Sequence, residues 1–408
     1  MSTVATFTRS PWSGNASVAE REQWIGVASR LAASLAPTAL HRDRDNALPR
    51  EELDVLRKAG LINLLVPTEF GGSGAHWETA FGVVREIARA DASLGILLGY
   101  HYLNQACITF YGTDENAQAR WYRRSAEATW VWSDSFNPVS PDLSFVADGE
   151  NYRMSGLKHF ATGVAVADVV IAGAIAEGGI HDGRLVVFAI DSRRDGIEYL
   201  DNWDNLGLRA SASGSVRYSD VLVTPADVIG VDTGEPFSSL VTPGVQLLFG
   251  NLYLAVAEAA LNQARDLTLA RSNAWFLSSV DRYADDPIVH RVVGELVART
   301  AAVAALADSL NRRFDDFVAL AGATAAEDRA AAELAIAKLK IVATEVGLEV
   351  SARVYEVTGA SSTRNSIGLD LLWRNVRTHS LHDPVDYKKI EVGAHFLNGT
   401  VQPVSLYT

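Results

Sequence analysis

Cysteine is nearly absent: Cys107 is the only one in 408 residues. No disulfide can close within the chain, and no cysteine-based metal cluster can form. Cys107 lies in an apolar helical stretch and reads as a buried, inert thiol. The nine histidines are scattered without the close pairing of a zinc protease motif, so no metal is expected. No apolar run is long enough for a membrane span, and no apolar segment follows Arg9 as a secretory leader requires. These absences favour a cytoplasmic protein with no membrane contact. Positive charge is also short, with 36 basic against 49 acidic residues and a net charge of −13. That balance argues against a nucleic-acid partner but leaves room for a small anion in a local basic pocket. Repeats and low-complexity tracts are missing too.

The chain contains 48% hydrophobic residues and is long enough for two or three domains around a large core. Residues 1–17, rich in Thr, Ser and Gly, read as a loose tail. Helical periodicity runs over Val18–Leu40, Arg50–Ala59, Trp77–Arg89, Ala92–Tyr111 and Asp114–Ala126, which defines a helical block over 18–128. From 129 to 236 short β-type runs alternate with Asp-Gly turns at 148, 182 and 195, predicting a small barrel or sandwich. Helical patterns return over Leu247–Ser272, Val289–Ala319, Glu327–Val357, Ser366–Leu381 and Asp386–Phe396, predicting a bundle over 237–408. The expected fold is therefore mainly α with a small β domain in the middle.

One stretch stands out for chemistry: Trp373-Arg-Asn-Val-Arg377-Thr-His379-Ser-Leu-His382-Asp383-Pro384. On a helix, residues three apart share a face, so both imidazoles point to one place where Pro384 ends the helix. Histidine titrates most readily near neutral pH, making His379 and His382 the proton-handling candidates. A capped helix end with two surface histidines is the plainer alternative.

Helical block, β domain and helical bundle follow the domain order of the acyl-CoA dehydrogenase superfamily. Two segments are similar to that family's motifs. One is Gly156-Leu-Lys158-His159-Phe160-Ala-Thr162-Gly163. The other runs from Leu206-Gly207-Leu-Arg209 through Ser213 to Asp220-Val-Leu-Val-Thr-Pro225. Within it, Leu372–Gly399, Leu65-Val-Pro-Thr-Glu-Phe-Gly-Gly and Leu98-Gly-Tyr100-His101 resemble the dibenzothiophene monooxygenase group, which includes oxygenases of small sulfinates. The resemblance implies a two-component enzyme and a homo-oligomer, a tetramer by family habit. A separate NAD(P)H-dependent flavin reductase supplies FMNH2, and O2 is co-substrate through a flavin C4a-(hydro)peroxide. The implied substrate is a small organosulfur compound, a sulfide, sulfoxide, sulfone or sulfinate.

The resemblance also assigns residues. Thr162 and Phe160 fall where the flavin is lined, and Trp132, Ser133 and Asp134 on the first flavin-contacting strand. Ile96, Tyr100, His101, Phe136, Phe160 and His379 fall on the substrate side. Arg271, Asn273, Trp275, Gly359, Ala360 and Ser361 fall where a neighbouring subunit holds the cofactor. His379, His382 and Thr162 would be catalytic, with His382 also near the flavin. Three rivals remain open: an FAD-dependent acyl-CoA dehydrogenase, an oxygenase of nitrogen or of an aromatic ring, and a non-catalytic scaffold. Against the first, an ungapped match puts Asp383 where the dehydrogenases carry their catalytic glutamate. A base one methylene shorter reaches a buried carbon poorly.

Overall fold

The computed structural model describes residues 10–112, 114–136 and 143–405. Five helices come first: α1 (Val18–Asp45), α2 (Arg50–Lys58), α3 (Trp77–Ala90), α4 (Ala92–Tyr111) and α5 (Glu115–Ala128). α1 runs five residues past its predicted end because its charged last turn is partnered: buried Arg42 ion-pairs with Asp91 and Glu52. Asp91 in turn caps α4 by accepting from the Ser93 and Leu94 amides. α4 is buried along almost its whole length, which makes it the axis of the helical block.

The tail expectation needs correction. Residues 1–9 of it lie outside the described residues, but from Ser10 onward the segment is packed. Trp12 is buried, with its ring edge-on to Trp77 at 5.3 Å and its Nε1 donating to the Leu65 carbonyl. Tryptophan inside a Ser/Gly-rich segment was the available signal, since so large an apolar side chain strongly favours burial.

Among the described residues the middle region holds eight strands. β1 (Trp132–Asp134), β2 (Ser144–Asp148), β3 (Asn151–Lys158) and β4 (Val169–Ile175) come first. β5 (Leu185–Asp191), β6 (Ile197–Tyr199), β7 (Val216–Val223) and β8 (Val228–Val231) complete them. They form two four-stranded sheets, ordered β1-β4-β5-β8 and β2-β3-β7-β6, with β1 parallel to β4 and every other pair antiparallel. Phe145 of one sheet stacks on Phe188 of the other at 4.8 Å, inside a core drawn from both sheets. β7 runs unbroken through Asp220, which sits at φ 53°.

The last region contains α6 (Val241–Leu269), α7 (Pro287–Ala319), α8 (Ala326–Arg353), the short α9 (Tyr355–Thr358), α10 (Asp370–His379) and α11 (Val385–Asn398). α10 starts four residues later than predicted, after Gly368 at φ 68°, a left-handed conformation that no α-helix accommodates. Ser238–Leu269 is apolar and long enough to cross a membrane, but 89% of its apolar window is buried inside the protein, as in a core helix. α6 and α4 cross closely because Gly99 faces Leu248; a Cβ there would lie 2.1 Å from a leucine methyl.

Candidate active site

A cavity of about 620 Å³ opens where α4, α6, α10 and the β domain meet. The α4 wall is one helical stripe: Ile96, Tyr100, Asn104, Cys107 and Tyr111. The spacing explains why His101, predicted as substrate-lining, is not there. One residue on from Tyr100 turns the side chain about 100° away. His101 instead accepts from the Trp132 amide through Nδ1 and bonds the Ile62 carbonyl through Nε2 at 2.7 Å. Burial pushes its pKa down to about 4, so it is a neutral pin between α4 and β1.

The β side supplies Asp134, Phe136, Phe160, Thr162, Trp203 and the loop Leu208–Ser213. Trp132 and Ser133, expected beside the flavin, are absent from this lining. Trp132 packs edge-on to Trp121 at 5.6 Å and its indole N–H donates to Ser125, so it belongs to the core. Ser133 is likewise buried. Asp134 does line the cavity, its Oδ2 accepting from Asn104 at 3.1 Å, and burial raises its pKa. Phe160 sits at φ 61°, uncommon for a residue with a Cβ, and its ring is 63% exposed, edge-on to Trp203 at 6.2 Å. Thr162 accepts from Ser213 at 3.2 Å, and Ser213 is bonded to Ser211.

His379 and His382 come together as their spacing predicts, with ring centroids 5.7 Å apart and nearly parallel. α10 ends at His379 and His382 sits in the following turn, its amide bonded to the His379 carbonyl. Pro384 caps the next helix, α11. The two rings differ in environment. His379 is buried against Phe249 and bonded to the Tyr253 hydroxyl at 2.9 Å. Burial first, then the neighbouring His382 and Lys340, drive its pKa well below the ordinary value, which favours the neutral ring.

His382 is held by a chain that the sequence did not reveal. Its Nδ1 bonds Asp383 at 3.1 Å, and its Nε2 lies 3.4 Å from the Tyr100 hydroxyl. Asp383 pairs in turn with buried Lys340 of α8. Burial alone would raise the Asp383 pKa, but the His382 bond and the Lys340 cation outweigh it and hold the carboxylate ionised. Lys340 lies 43 positions from its partner, and no local pattern marks such a pair.

The remaining expected residues form a second patch outside this cavity. Arg271 stacks on Tyr283 at 3.8 Å and lies against Gly359, where a Cβ would meet the guanidinium at 2.8 Å. Trp275 is 62% exposed beside Phe276, and Asn273, Ala360 and Ser361 are exposed. Among the described residues no cluster could hold a metal ion.

The wall suits a planar, polar-edged ligand. Arg377 Nε and Thr378 Oγ1 are buried in the lining and have no hydrogen-bond partner among the described residues. Phe160, an exposed aromatic residue, is part of the same lining. These are features that a flavin would satisfy.

Two helical domains around a β sandwich, with a flavin-sized cavity at their junction, define a flavoenzyme of the acyl-CoA dehydrogenase type. The acyl-CoA dehydrogenase N-terminal domain matches residues 20–128 and the C-terminal domain residues 247–387. A probable FMNH2-dependent monooxygenase, SfnC, of Pseudomonas putida is 36% identical over 94% of this chain and 97% of its own. Dibenzothiophene monooxygenase of Mycolicibacterium goodii is 37% identical over 92% of this chain and 93% of its own. The structure of methanesulfinate monooxygenase MsuC from Pseudomonas fluorescens superposes with a TM-score of 0.90, at 35% identity, covering 94% of this chain and 99% of that one. The chain belongs to the acyl-CoA dehydrogenase family, within its FMNH2-dependent monooxygenase branch.

Proposed function

We propose that the cavity oxygenates the sulfur of an organosulfur compound, with His382 as the proton-handling residue. The observation that carries this reading is the chain Lys340–Asp383–His382–Tyr100, which ends in the cavity wall. In the reaction the sulfur gains one oxygen atom of O2, the other leaves as water, and FMNH2 supplies the two electrons as it becomes FMN. Bound reduced flavin supplies the activation of dioxygen.

The protein's own residues supply geometry and protons. Phe160, Thr162, Arg377 and Thr378 would hold the flavin. The ionised Asp383 fixes the imidazole with Nδ1–H toward the carboxylate, leaving Nε2 as the ring nitrogen on the cavity side. Nε2 then holds a proton at the cavity wall for the oxygen that leaves as water. His379 and Phe249 pack against one face of the His382 ring and hold its orientation. Asp383 is unsuited to the dehydrogenase role, since a buried ammonium and an imidazole already engage both its oxygens.

The Arg271–Gly359 patch would meet the phosphate of a flavin in a neighbouring subunit, which requires an oligomer, read here as a tetramer. The reductase is a separate protein, and the cytoplasm is where we place the pair. Mixing the protein with reduced FMN, oxygen and an aryl sulfide is expected to give one sulfoxide per FMNH2. Hydrogen peroxide as the sole product would overturn the reading.

A further inference from the structure

Two stretches far apart in the chain, Leu206-Gly207-Leu208-Arg209 and Trp373-Arg374-Asn375, touch beside the cavity. A Cβ on Gly207 would come within 2.3 Å of the Arg374 carbonyl oxygen, so only glycine admits this approach to α10. The buried Asn375 side chain accepts from the Leu208 amide at 2.7 Å, across 167 positions. Arg374 donates to the Leu206 carbonyl at 2.7 Å and ion-pairs with buried Asp43 near the end of α1. Neither Arg374 nor Asn375 lines the cavity.

The loop they hold does line it. Residues 203–213 give the cavity Trp203, Asn205, Leu206, Leu208, Ser211 and Ser213. Leu208 and Ala212 sit at φ 52° and 50°, in the left-handed region that residues with a Cβ rarely adopt. Such a conformation persists only where the surroundings over-determine it. Leu208 is fixed from both sides, its amide by Asn375 and its carbonyl by the Trp203 indole N–H at 2.8 Å. Trp203 in turn meets Phe160 edge-on, and Ser213 donates to Thr162. Phe160 and Thr162 are the β-side residues proposed to hold the flavin.

We infer that Asn375 is a positioning residue for the flavin: its bond to the Leu208 amide holds the 203–213 loop, and through it Phe160 and Thr162, in the shape that receives the ring. α10 thus serves the cavity twice, with Arg374 and Asn375 latching the loop and Arg377, Thr378 and His379 in the wall. Without the bond a buried amide is left unpaired, and the loop can relax out of its strained form. The inference rests on the cavity being the seat of the flavin ring and says what shapes that seat.

The test compares the wild type with Asn375→Leu, which keeps the bulk but removes the acceptor, and with Asn375→Asp, which keeps the acceptor. FMN affinity is read by fluorescence titration, and loop order by hydrogen exchange in the FMN-free protein. Asn375→Leu is expected to bind FMN about tenfold or more weakly, and Asn375→Asp to stay within about threefold of the wild type. Exchange in Asn375→Leu should quicken at 203–213 and not throughout the helices. Wild-type FMN affinity in Asn375→Leu overturns the inference. Exchange that quickens evenly over the chain also overturns it, because that marks general destabilisation. The wild type alone gives a measurement that needs no variant to fold: bound FMN should slow exchange at both 203–213 and 370–379. Protection of neither segment would remove the flavin seat and the inference with it. Protection of both, with an indifferent Asn375→Leu, would remove the latch alone. No sulfur compound enters these measurements, so the oxygenation reading stands or falls separately.

Discussion

At the residue scale the account turns on charges kept apart by burial. Lys340 and Asp383 are both buried, and each stays ionised through the other. Lys340→Met leaves a buried carboxylate without its cation, a change expected to cost about 3–5 kcal/mol. Urea unfolding at pH 7.5 measures it; a loss below about 1 kcal/mol would mean that the pair is not coupled as described. The neutral pin His101 makes a separate prediction. Its folded pKa, about 4, lies below the ordinary value of 6.5, so its contribution is complete above 6.5 and is lost as pH falls toward 4. The loss is on the order of 3 kcal/mol, and buried His379 adds to it with the same sign. Unfolding followed between pH 7.5 and 4.5 should show this decline. His101→Gln should flatten part of it while lowering stability at pH 7.5.

At the element scale, α4 positions most of what matters. One stripe of it lines the cavity, the residue beside that stripe pins β1, and Gly99 lets α6 close against it. Gly99→Ala would force a methyl into Leu248 and is expected to destabilise by about 1–3 kcal/mol, read from the shift of the urea midpoint. A stability unchanged within error would show that the two helices part easily. Much of this scale was legible in advance. Ala92–Tyr111 was predicted with its observed ends, because its apolar run is bounded by Asp91 and Gly112. The pairing of His379 with His382 followed from spacing alone. What the sequence hid was which side of a wholly buried helix faces a cavity: Tyr100 and His101 are neighbours in a run without amphipathic contrast. It also hid the carboxylate's partner, since Lys340 reaches Asp383 only through the packing of α8 beneath α10. Trp132 misled for a related reason: position on a flavin-side strand does not say which face of that strand is covered by α5.

At the scale of the whole molecule, the two sets of residues proposed for the cofactor do not meet within one chain. Phe160, Thr162, Arg377 and Thr378 line the cavity, whereas half-buried Arg271 and Gly359 and exposed Trp275 lie outside it. An assembly of chains of 44.0 kDa each would bring the two sets from different subunits together. Arg271→Ala is therefore expected to weaken FMN binding about tenfold or more, as loss of a charged hydrogen-bond partner does, without lowering the unfolding midpoint. Fluorescence titration of FMN, with the assembly size checked by sedimentation, measures this. Unchanged FMN affinity in a tetramer would remove the patch from the cofactor site.

The central claim is that His382, held by Asp383, couples dioxygen to a sulfur atom. The most direct measurement is a single turnover with reduced FMN, 18O2 and benzyl phenyl sulfide, run on the wild-type protein and on His382→Ala. The account predicts a sulfoxide carrying one 18O atom from the wild type, and from the variant mainly hydrogen peroxide with native-like unfolding retained. An unlabelled product, or the same labelled yield from both proteins, would contradict it.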